Sequence, residues 1–374
     1  MQVAEALGRS GRWVRKWTAR HADAAGQGVD WAQSRSRAPH HSPHRTCPRI
    51  RDLVLAARAR LESDPRSQYG ALAIAWELRH LGLDVPHVWT INRILADAGV
   101  TKPRRRQPGY QSKGAPYPVP KTAAPGEVHQ ADLVGPRHLD GGIAFHAFNL
   151  IDVGSHTVAN AIMPVVRPPL IAQSLATVWA RVGLPKTIQF DNHSNLRGAI
   201  PPRASYFGPV VATCLDLGVT PRFAPLREPW RQGVIEHFND VWDKTFFRTT
   251  RFTDLEHLTR ESAAFEAFHN THHRYSAHGG ASPDEMRHNL QLRLPPVDYQ
   301  PPARLPRKGR IEAIRYIRSD RHIDLWGHKI TVADEHAYQY VTALIGVRDK
   351  AVTVITRHGE IIHTGPFTVS NTLR

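Results

Sequence analysis

The order of apolar segments between residues 127 and 270 constrains the fold of this chain more than any other feature. Three β-type runs come first, at 127–134, 143–151 and 156–163, with Gly141-Gly142 as a turn between the first two. A helix-like stretch follows at 169–182, where Leu170, Leu175, Val178 and Trp179 are apolar. Then come a strand at 187–190, a helix at 205–217, a strand at 219–223 and a long helix at 230–247. Strands joined by short turns pair antiparallel, whereas strands separated by a helix return parallel. The order therefore predicts a mixed α/β domain in which an antiparallel meander leads into parallel crossovers.

Three acids stand out within this frame. Asp132 lies inside the first predicted strand, in Val128-His129-Gln130-Ala131-Asp132-Leu133-Val134, where a carboxylate is costly to bury without a partner or a metal. Asp191 ends the apolar run Ile188-Gln189-Phe190-Asp191-Asn192, at the C-terminal end of a strand, where α/β sheets place ligand sites. Glu236 sits on the last helix, at the flank of a face formed by Ile235, Phe238 and Trp242. Acids converging from different elements suit Mg²⁺, which takes hard oxygen ligands and keeps several waters. Two such ions can clamp the attacking and leaving oxygens of an in-line phosphoryl displacement. Taken singly, a strand Asp belongs at a turn or edge and a helix Glu belongs in solvent. Asp152 and Asp216 fit those ordinary roles, as a strand-end acid and a helix-surface acid.

Charge points to a polyanion partner. The net charge is +16, and residues 1–125 hold 21 basic against 9 acidic residues, so +12 of it lies in the first third. Two cysteines exclude a disulfide framework or a four-thiolate zinc site, and no apolar run approaches a membrane span. The expected setting is cytoplasmic, with no membrane partner.

The basic third divides by composition. Residues 1–22 read as part of a helix-turn-helix, with Ser10 as N-cap and Arg12, Arg15 and Lys16 on the second helix as DNA-contacting residues. Residues 23–48 read as a basic linker; His40, His41, His44 and Cys47 make a poor zinc site because prolines interrupt them. Residues 49–100 read as a helical DNA-binding domain, a second helix-turn-helix, with Leu72, Trp76, Val88, Ile91 and Leu95 as its core. Trp89, Thr90 and Arg93 lie on the exposed side of its last helix. Residues 101–126 form a second basic linker, in which Lys102, Arg104, Arg105 and Arg106 would track a phosphate backbone. Residues 305–367 are β-rich, with turns near 348–350 and 358–360, and suggest a small barrel.

The acidic motifs carry a specific resemblance. Pro125-Gly126-Glu127-Val128-His129-Gln130-Ala131-Asp132, then Asn149-Leu150-Ile151-Asp152-Val153, resembles the opening of an integrase-type catalytic core. Ile188-Gln189-Phe190-Asp191-Asn192 resembles the second-aspartate motif, and Gln232-Gly233-Val234-Ile235-Glu236-His237-Phe238-Asn239 the glutamate motif. The run from His273 through Ser282-Pro283 to Met286 resembles the segment that follows. Together they are similar to the DDE transposases of bacterial insertion sequences, in the retroviral integrase superfamily. The resemblance implies an RNase H-like core with a mixed five-stranded sheet over residues 127–290. It also implies upstream helix-turn-helix domains that bind terminal inverted repeats of double-stranded DNA, and an SH3-like barrel at 305–367. Asp132, Asp191 and Glu236 would then ligate two Mg²⁺ ions, with Mn²⁺ able to substitute, in a homo-oligomer that pairs DNA ends and joins them to target DNA. A bacterial, nucleoid-associated location goes with that reading.

The chain departs from the family pattern after Asn192, where His193-Ser194-Asn195-Leu196 replaces the usual Gly-Ser. Forty-four residues separate Asp191 from Glu236, an excess placed at 196–206, where Pro201-Pro202 falls. Two other functions remain at this point: a DNA-binding regulator without catalysis, and a nuclease of the same fold acting on RNA–DNA hybrids. With 23 histidines in the chain, His193 and His237 beside the acids read as incidental, and His269, His272 and His273 as a polar helix end.

Overall fold

The computed structural model describes residues 2–25, 28, 30–34, 46–101, 114–119, 123–198 and 206–373. The chain forms two compact units, Met1–Pro48 and Arg49–Arg374. The described residues of the first unit hold α1 (Gln2–Ala6) and α2 (Gly11–Ala24). Ser10 caps α2, its hydroxyl accepting from the Trp13 N–H at 3.2 Å. Trp17 packs against Trp13 at a tilt and against Trp31 edge to face, and the Arg20 guanidinium lies 4.6 Å over Trp17. Arg12, Arg15 and Lys16 are exposed.

The second unit opens with α3 (Pro48–Ser63), α4 (Ala71–His80) and α5 (Val88–Asp97). Val54, Ile74, Leu78, Ile91 and Leu95 close their common core. Leu72 and Trp76, expected in that core, instead form a second stripe on α4, one turn apart. Trp76 faces downstream residues: Arg274 lies 4.3 Å over its ring and His272 packs edge-on. Backbone contacts add to this docking, with His273 Nε2 donating to the Arg66 carbonyl at 2.9 Å and Gln68 Oε1 accepting from the Arg274 N–H.

The sheet is built as its sequence order predicts. β1 (Val128–His138), β2 (Ala144–Asp152) and β3 (Val158–Met163) form the antiparallel meander. After α6 (Pro168–Val182), β4 (Thr187–Phe190) pairs parallel to β1. α7 (Ser194–Arg197) and α8 (Pro209–Asp216) precede β5 (Thr220–Phe223), which pairs parallel to β4. These five strands lie in the order β5-β4-β1-β2-β3 and are mixed in direction, as expected. Trp179, Leu175 and Val178 of α6 and the buried face of α8 cover one side. The other side is covered by α9 (Gly233–Trp242), through Ile235, Phe238 and Trp242.

The predicted helix 230–247 is broken in the structure: a 3₁₀ turn covers Pro229–Gln232, and a π turn, Asp243–Phe247, follows α9. α10 (Leu255–His272) ends at the histidines read as a polar helix end, and its body is additional to the predicted elements. It lies along β3, the last strand of the sheet, and bonds to it with side chains. Glu266 Oε2 accepts from the Asn160 N–H, and Asn270 bonds both the N–H and the carbonyl of Val158, each at 2.9 Å. An open edge would otherwise be a site for pairing with another chain. α11 (Pro283–Arg287) follows, with a Ser282/Glu285 capping box.

The C-terminal region is made of strands, as expected, but its topology differs from a self-contained barrel. β6 (Arg310–Tyr316) pairs parallel to β5, and β9 (Tyr340–Gly346), β10 (Ala351–Ile355) and β11 (Ile361–Pro366) continue outward in one nine-stranded sheet. β7 (His322–Leu325) and β8 (His328–Thr331) form a separate hairpin. Arg222 of β5 pairs with Glu312 of β6 at 2.8 Å, and both side chains are largely buried at this seam. Among the described residues, no helix is long and apolar enough to cross a membrane.

Candidate active site

The register of β1 and β4 brings the first two acids side by side. Gln130 stands opposite Gln189 in the parallel ladder, so Asp132 and Asp191, each two residues further on, leave adjacent strands at the same level. Neighbouring strands are about 4.8 Å apart. Side chains two apart share a face, so Asp132 points to the side that Gln130 faces, and that side carries α9. Gln130 Oε1 accepts the Ile235 N–H at 3.1 Å, satisfying one of the free donors in the first turn of α9. Gln189 Nε2 donates to the Arg231 carbonyl at 2.9 Å. Two buried glutamines thus seat the start of the helix that carries the third acid.

Glu236 lies one turn before Asn239, on the same helical face. Asn239 Nδ2 donates to Asp132 Oδ2 at 2.8 Å, and its Oδ1 accepts from Asn149 Nδ2 at 2.9 Å. Asn149 is the cross-strand partner of Asp132. β1, β2 and α9 are therefore tied together at this point. Asp132 Oδ1 accepts the Leu133 N–H at 2.8 Å, and Asp191 Oδ1 accepts the His193 N–H at 2.9 Å.

Burial raises the Asp132 carboxyl pKa to about 6, and the charges of Asp191 and Glu236 add to the rise; the bonds from Leu133 and Asn239 oppose it. Partial burial also raises the pKa of Glu236. Each acid therefore lies within electrostatic reach of Asp132. Among the described residues, no ready-made cluster of three His, Cys, Asp or Glu side chains that could hold a metal ion is present. The donor set itself fits a hard dication: oxygen ligands only, and carboxylates whose mutual repulsion a cation relieves.

The other sequence candidates separate from this cluster. Asp152 accepts from the N–H groups of Gly126 and Gly154 and from the Ser155 hydroxyl, and serves as a buried turn anchor. Asp216 accepts from the Tyr299 hydroxyl. His193 Nδ1 caps α7 by accepting from the Asn195 N–H. His269 is buried, and its Nε2 bonds the Tyr275 hydroxyl at 2.8 Å; burial holds its pKa well below the usual range. On α5, Trp89 is 64% exposed and Arg93 stacks over it at 5.1 Å, with Thr90 beside them. Lys102, Arg104, Arg105 and Arg106 lie outside the described residues, as do His40, His41 and His44. The insertion falls partly outside them too. Its neck is described, and Gly208 N–H donates to the Arg197 carbonyl at 2.9 Å. Gly198 (φ +114°) lets the two strands of the neck approach: a Cβ there would sit 2.2 Å from Gly208 N.

Sequence reasoning missed Gln130, Gln189, Asn149 and Asn239. A signal for two of them was present, since Gln130-Ala131-Asp132 and Gln189-Phe190-Asp191 share one Gln-x-Asp spacing in two strands. It also missed Asn192, whose Nδ2 donates to the Ala224 carbonyl at 2.7 Å, and whose Oδ1 accepts from two residues of the C-terminal region, Arg315 and Trp326.

No sequence-family model matches the chain. Among solved structures, the chain is similar to the catalytic core domain of HTLV-2 integrase in complex with magnesium, at 12% identity and a TM-score of 0.34, over 44% of this chain and 98% of that one. It is also similar to a chain of the simian T-cell lymphotropic virus intasome in complex with the PP2A regulatory subunit B56 gamma. There the identity is 14% and the TM-score 0.39, over 85% of this chain and 99% of that one.

Proposed function

We propose that this chain is a DDE transposase, a polynucleotidyl transferase that binds the inverted-repeat ends of a mobile DNA element, cleaves them and joins them to target DNA. The observation that carries the reading is Asp132: a largely buried acid at the same strand level as Asp191, bonded through Asn239 to the helix that bears Glu236. Burying a carboxylate beside two others is unfavourable unless a cation is the intended occupant.

In this reading Asp132, Asp191 and Glu236 are the catalytic residues and hold two Mg²⁺ ions, or Mn²⁺ in their place. When bound, the ions supply activation of an attacking water or DNA 3′-hydroxyl and stabilisation of the leaving 3′-oxygen. The chain's own part is to orient and to bind. Asn239 fixes one Asp132 oxygen, and Gln130 and Gln189 fix the start of α9. Trp89, Thr90 and Arg93 on α5, with Arg12, Arg15 and Lys16 on α2 and the basic run Lys102, Arg104, Arg105 and Arg106, hold duplex DNA. The organisation that goes with it is a partial helix-turn-helix at 1–22, a helix-turn-helix domain at 49–100, a catalytic core at 127–290 and C-terminal strands at 305–367. Residues 23–48 and 101–126 are linkers. The active form is a homo-oligomer in the bacterial cytoplasm, on the nucleoid.

Mn²⁺-dependent strand transfer on inverted-repeat DNA tests the reading. Asp132→Asn and Glu236→Gln should abolish product while leaving DNA binding intact, and wild-type product from either variant would refute the site. A second reading, a DNA-binding regulator that has lost catalysis, is favoured by one observation: His193-Ser194 follows Asn192 where the family pattern has Gly-Ser. Sequence-specific binding by wild-type protein with no cleavage at any Mn²⁺ concentration would select it.

A further inference from the structure

The C-terminal strands reach the neighbourhood of the second acid. β6 joins the core sheet beside β5, and Arg315, near its end, is buried with 3% of its surface exposed. Its guanidinium donates to the carbonyls of Asp324 (2.7 Å), Ile314 (2.8 Å) and Ala224 (3.3 Å), and to Asn192 Oδ1 at 3.2 Å. Trp326, in the turn between β7 and β8, donates its indole N–H to the same oxygen at 2.9 Å and lies 4.9 Å beneath the Arg315 guanidinium. Asn192 Nδ2 is in turn held by Ala224, whose N–H donates to the Phe190 carbonyl at 3.0 Å. One amide side chain thus gathers β4, β5 and the C-terminal region immediately after Asp191.

We propose that Arg315 and Trp326 are positioning residues for the second acid, acting through Asn192, and that the C-terminal strands complete the metal site. This rests on the metal-dependent reading above. Asn192 with both lone-pair directions and one amide hydrogen engaged has one side-chain arrangement available, and it fixes the backbone on which Asp191 stands. On its other side the Asp191 carboxylate is steered by the His193 N–H, and His193 is itself held as the cap of α7. Among the described residues the Arg315 guanidinium pairs with carbonyls and an amide rather than a carboxylate; burying it so is costly, and an apolar side chain would fill the space at less cost. What Arg315 adds over an apolar residue is directed hydrogen bonds, one of them to Asn192.

A second contact from the same strands supports the idea independently. Tyr340 of β9 donates its hydroxyl to Glu228 Oε2 at 2.6 Å and accepts from Arg231 Nη2 at 2.8 Å. Arg231 is the residue whose carbonyl holds Gln189, two positions before Asp191. The C-terminal strands thus brace both the turn after β4 and the segment that leads into the helix bearing Glu236.

The test measures Mn²⁺ binding to the full chain without DNA, by calorimetry or by loss of the free-ion electron paramagnetic resonance signal. Asp191→Asn is the reference. Trp326→Phe removes one N–H and keeps the ring, and Arg315→Lys keeps the charge and loses the fork; circular dichroism verifies that both fold. Each should weaken Mn²⁺ about 10-fold, the lower end of what outer ligand partners contribute. The half-saturating Mn²⁺ for strand transfer should rise by the same factor while the rate at saturating Mn²⁺ changes far less. Combined with Asn192→Ala, Trp326→Phe should add nothing, because both act on one contact. Wild-type Mn²⁺ affinity in Trp326→Phe, with affinity lost in Asp191→Asn, overturns the positioning role. So does full additivity with Asn192→Ala. If Asp191→Asn itself binds Mn²⁺ like wild type, the metal-site reading falls first and takes this inference with it.

Discussion

Replacing Asp132 by asparagine should stabilise the metal-free protein at the same time as it destroys activity. Its pKa rises from 3.8 to about 6 in the folded state, chiefly through burial and then through the charges of Asp191 and Glu236. A rise of about 2 units corresponds to roughly 3 kcal/mol of folding free energy lost once the group is ionised. The sign follows from proton binding: the native state holds this proton more tightly than the unfolded chain. Its contribution is therefore complete below pH 3.8 and is lost as pH rises through 6. Asparagine carries no charge and escapes the loss. It can still accept from the Leu133 N–H, but its Nδ2 would face the Asn239 donor, which costs about 1 kcal/mol. The balance at pH 8 is a gain of about 2 kcal/mol. Urea unfolding in EDTA, run from pH 8 to pH 4, measures it. The advantage of the variant should shrink steadily below pH 6 and reverse near pH 4, and Mn²⁺ at pH 8 should stabilise the wild type more than the variant. A variant less stable than wild type at pH 8, or a gap that does not change with pH, would refute the electrostatic account of this site.

Three further outcomes follow from the same geometry. Glu312→Ala should cost about 3 kcal/mol by leaving the largely buried Arg222 without its carboxylate at the β5–β6 seam, read as a shifted urea midpoint; a change under 1 kcal/mol would mean the seam holds without the ion pair. Trp89→Ala with Arg93→Ala should weaken binding to inverted-repeat DNA at least 10-fold and flatten its salt dependence by about one unit of slope. Unchanged binding in a filter or anisotropy assay would remove α5 as the reading helix. Gly198→Ala should destabilise the fold, because Gly198 sits at φ +114° and a Cβ there would lie 2.2 Å from Gly208 N. An unchanged midpoint in thermal unfolding would refute the close approach of Gly198 and Gly208.

Much of the core was legible because its strands are buried on both faces, and such strands appear as short apolar runs with sharp ends. β4, residues 187–190, was read to the residue for that reason. Of α10 only the end, at His269–His273, was legible to the same reasoning. The face it buries includes Ser262, Glu266 and Asn270, which bond to the β3 edge, so hydrophobic periodicity carries little of its signal. The addition of β6 to the core sheet was hidden as well. Strand pairing is made by backbone groups, and side-chain marks of this seam such as the Arg222–Glu312 pair join residues far apart in sequence. Asp132 and Asp191 stand out in the sequence because a carboxylate inside or closing an apolar strand is unusual, and Glu236, on a helix, through the resemblance of its motif. The amides around them do not, since Asn149, Asn192 and Asn239 acquire a role only when their partners arrive from other elements. Leu72 and Trp76 show the converse error: an apolar stripe says that a face is covered, and not by what.

The covering of that face has a consequence for how such a protein would measure DNA. Trp76 is clasped by Arg274 and His272, and the backbone near Arg66 and Gln68 is bonded to His273 and Arg274, just beyond the helix that guards the sheet edge. The three-helix domain is therefore bolted to the scaffold that carries the acids. In a protein that reads with α5 and cuts at Asp132, this makes a ruler: the interval between recognised bases and the severed bond is set in ångströms by folded protein. Moving the recognition sequence by a few base pairs along the element end would rotate it around the duplex, and no slack in the protein would follow it.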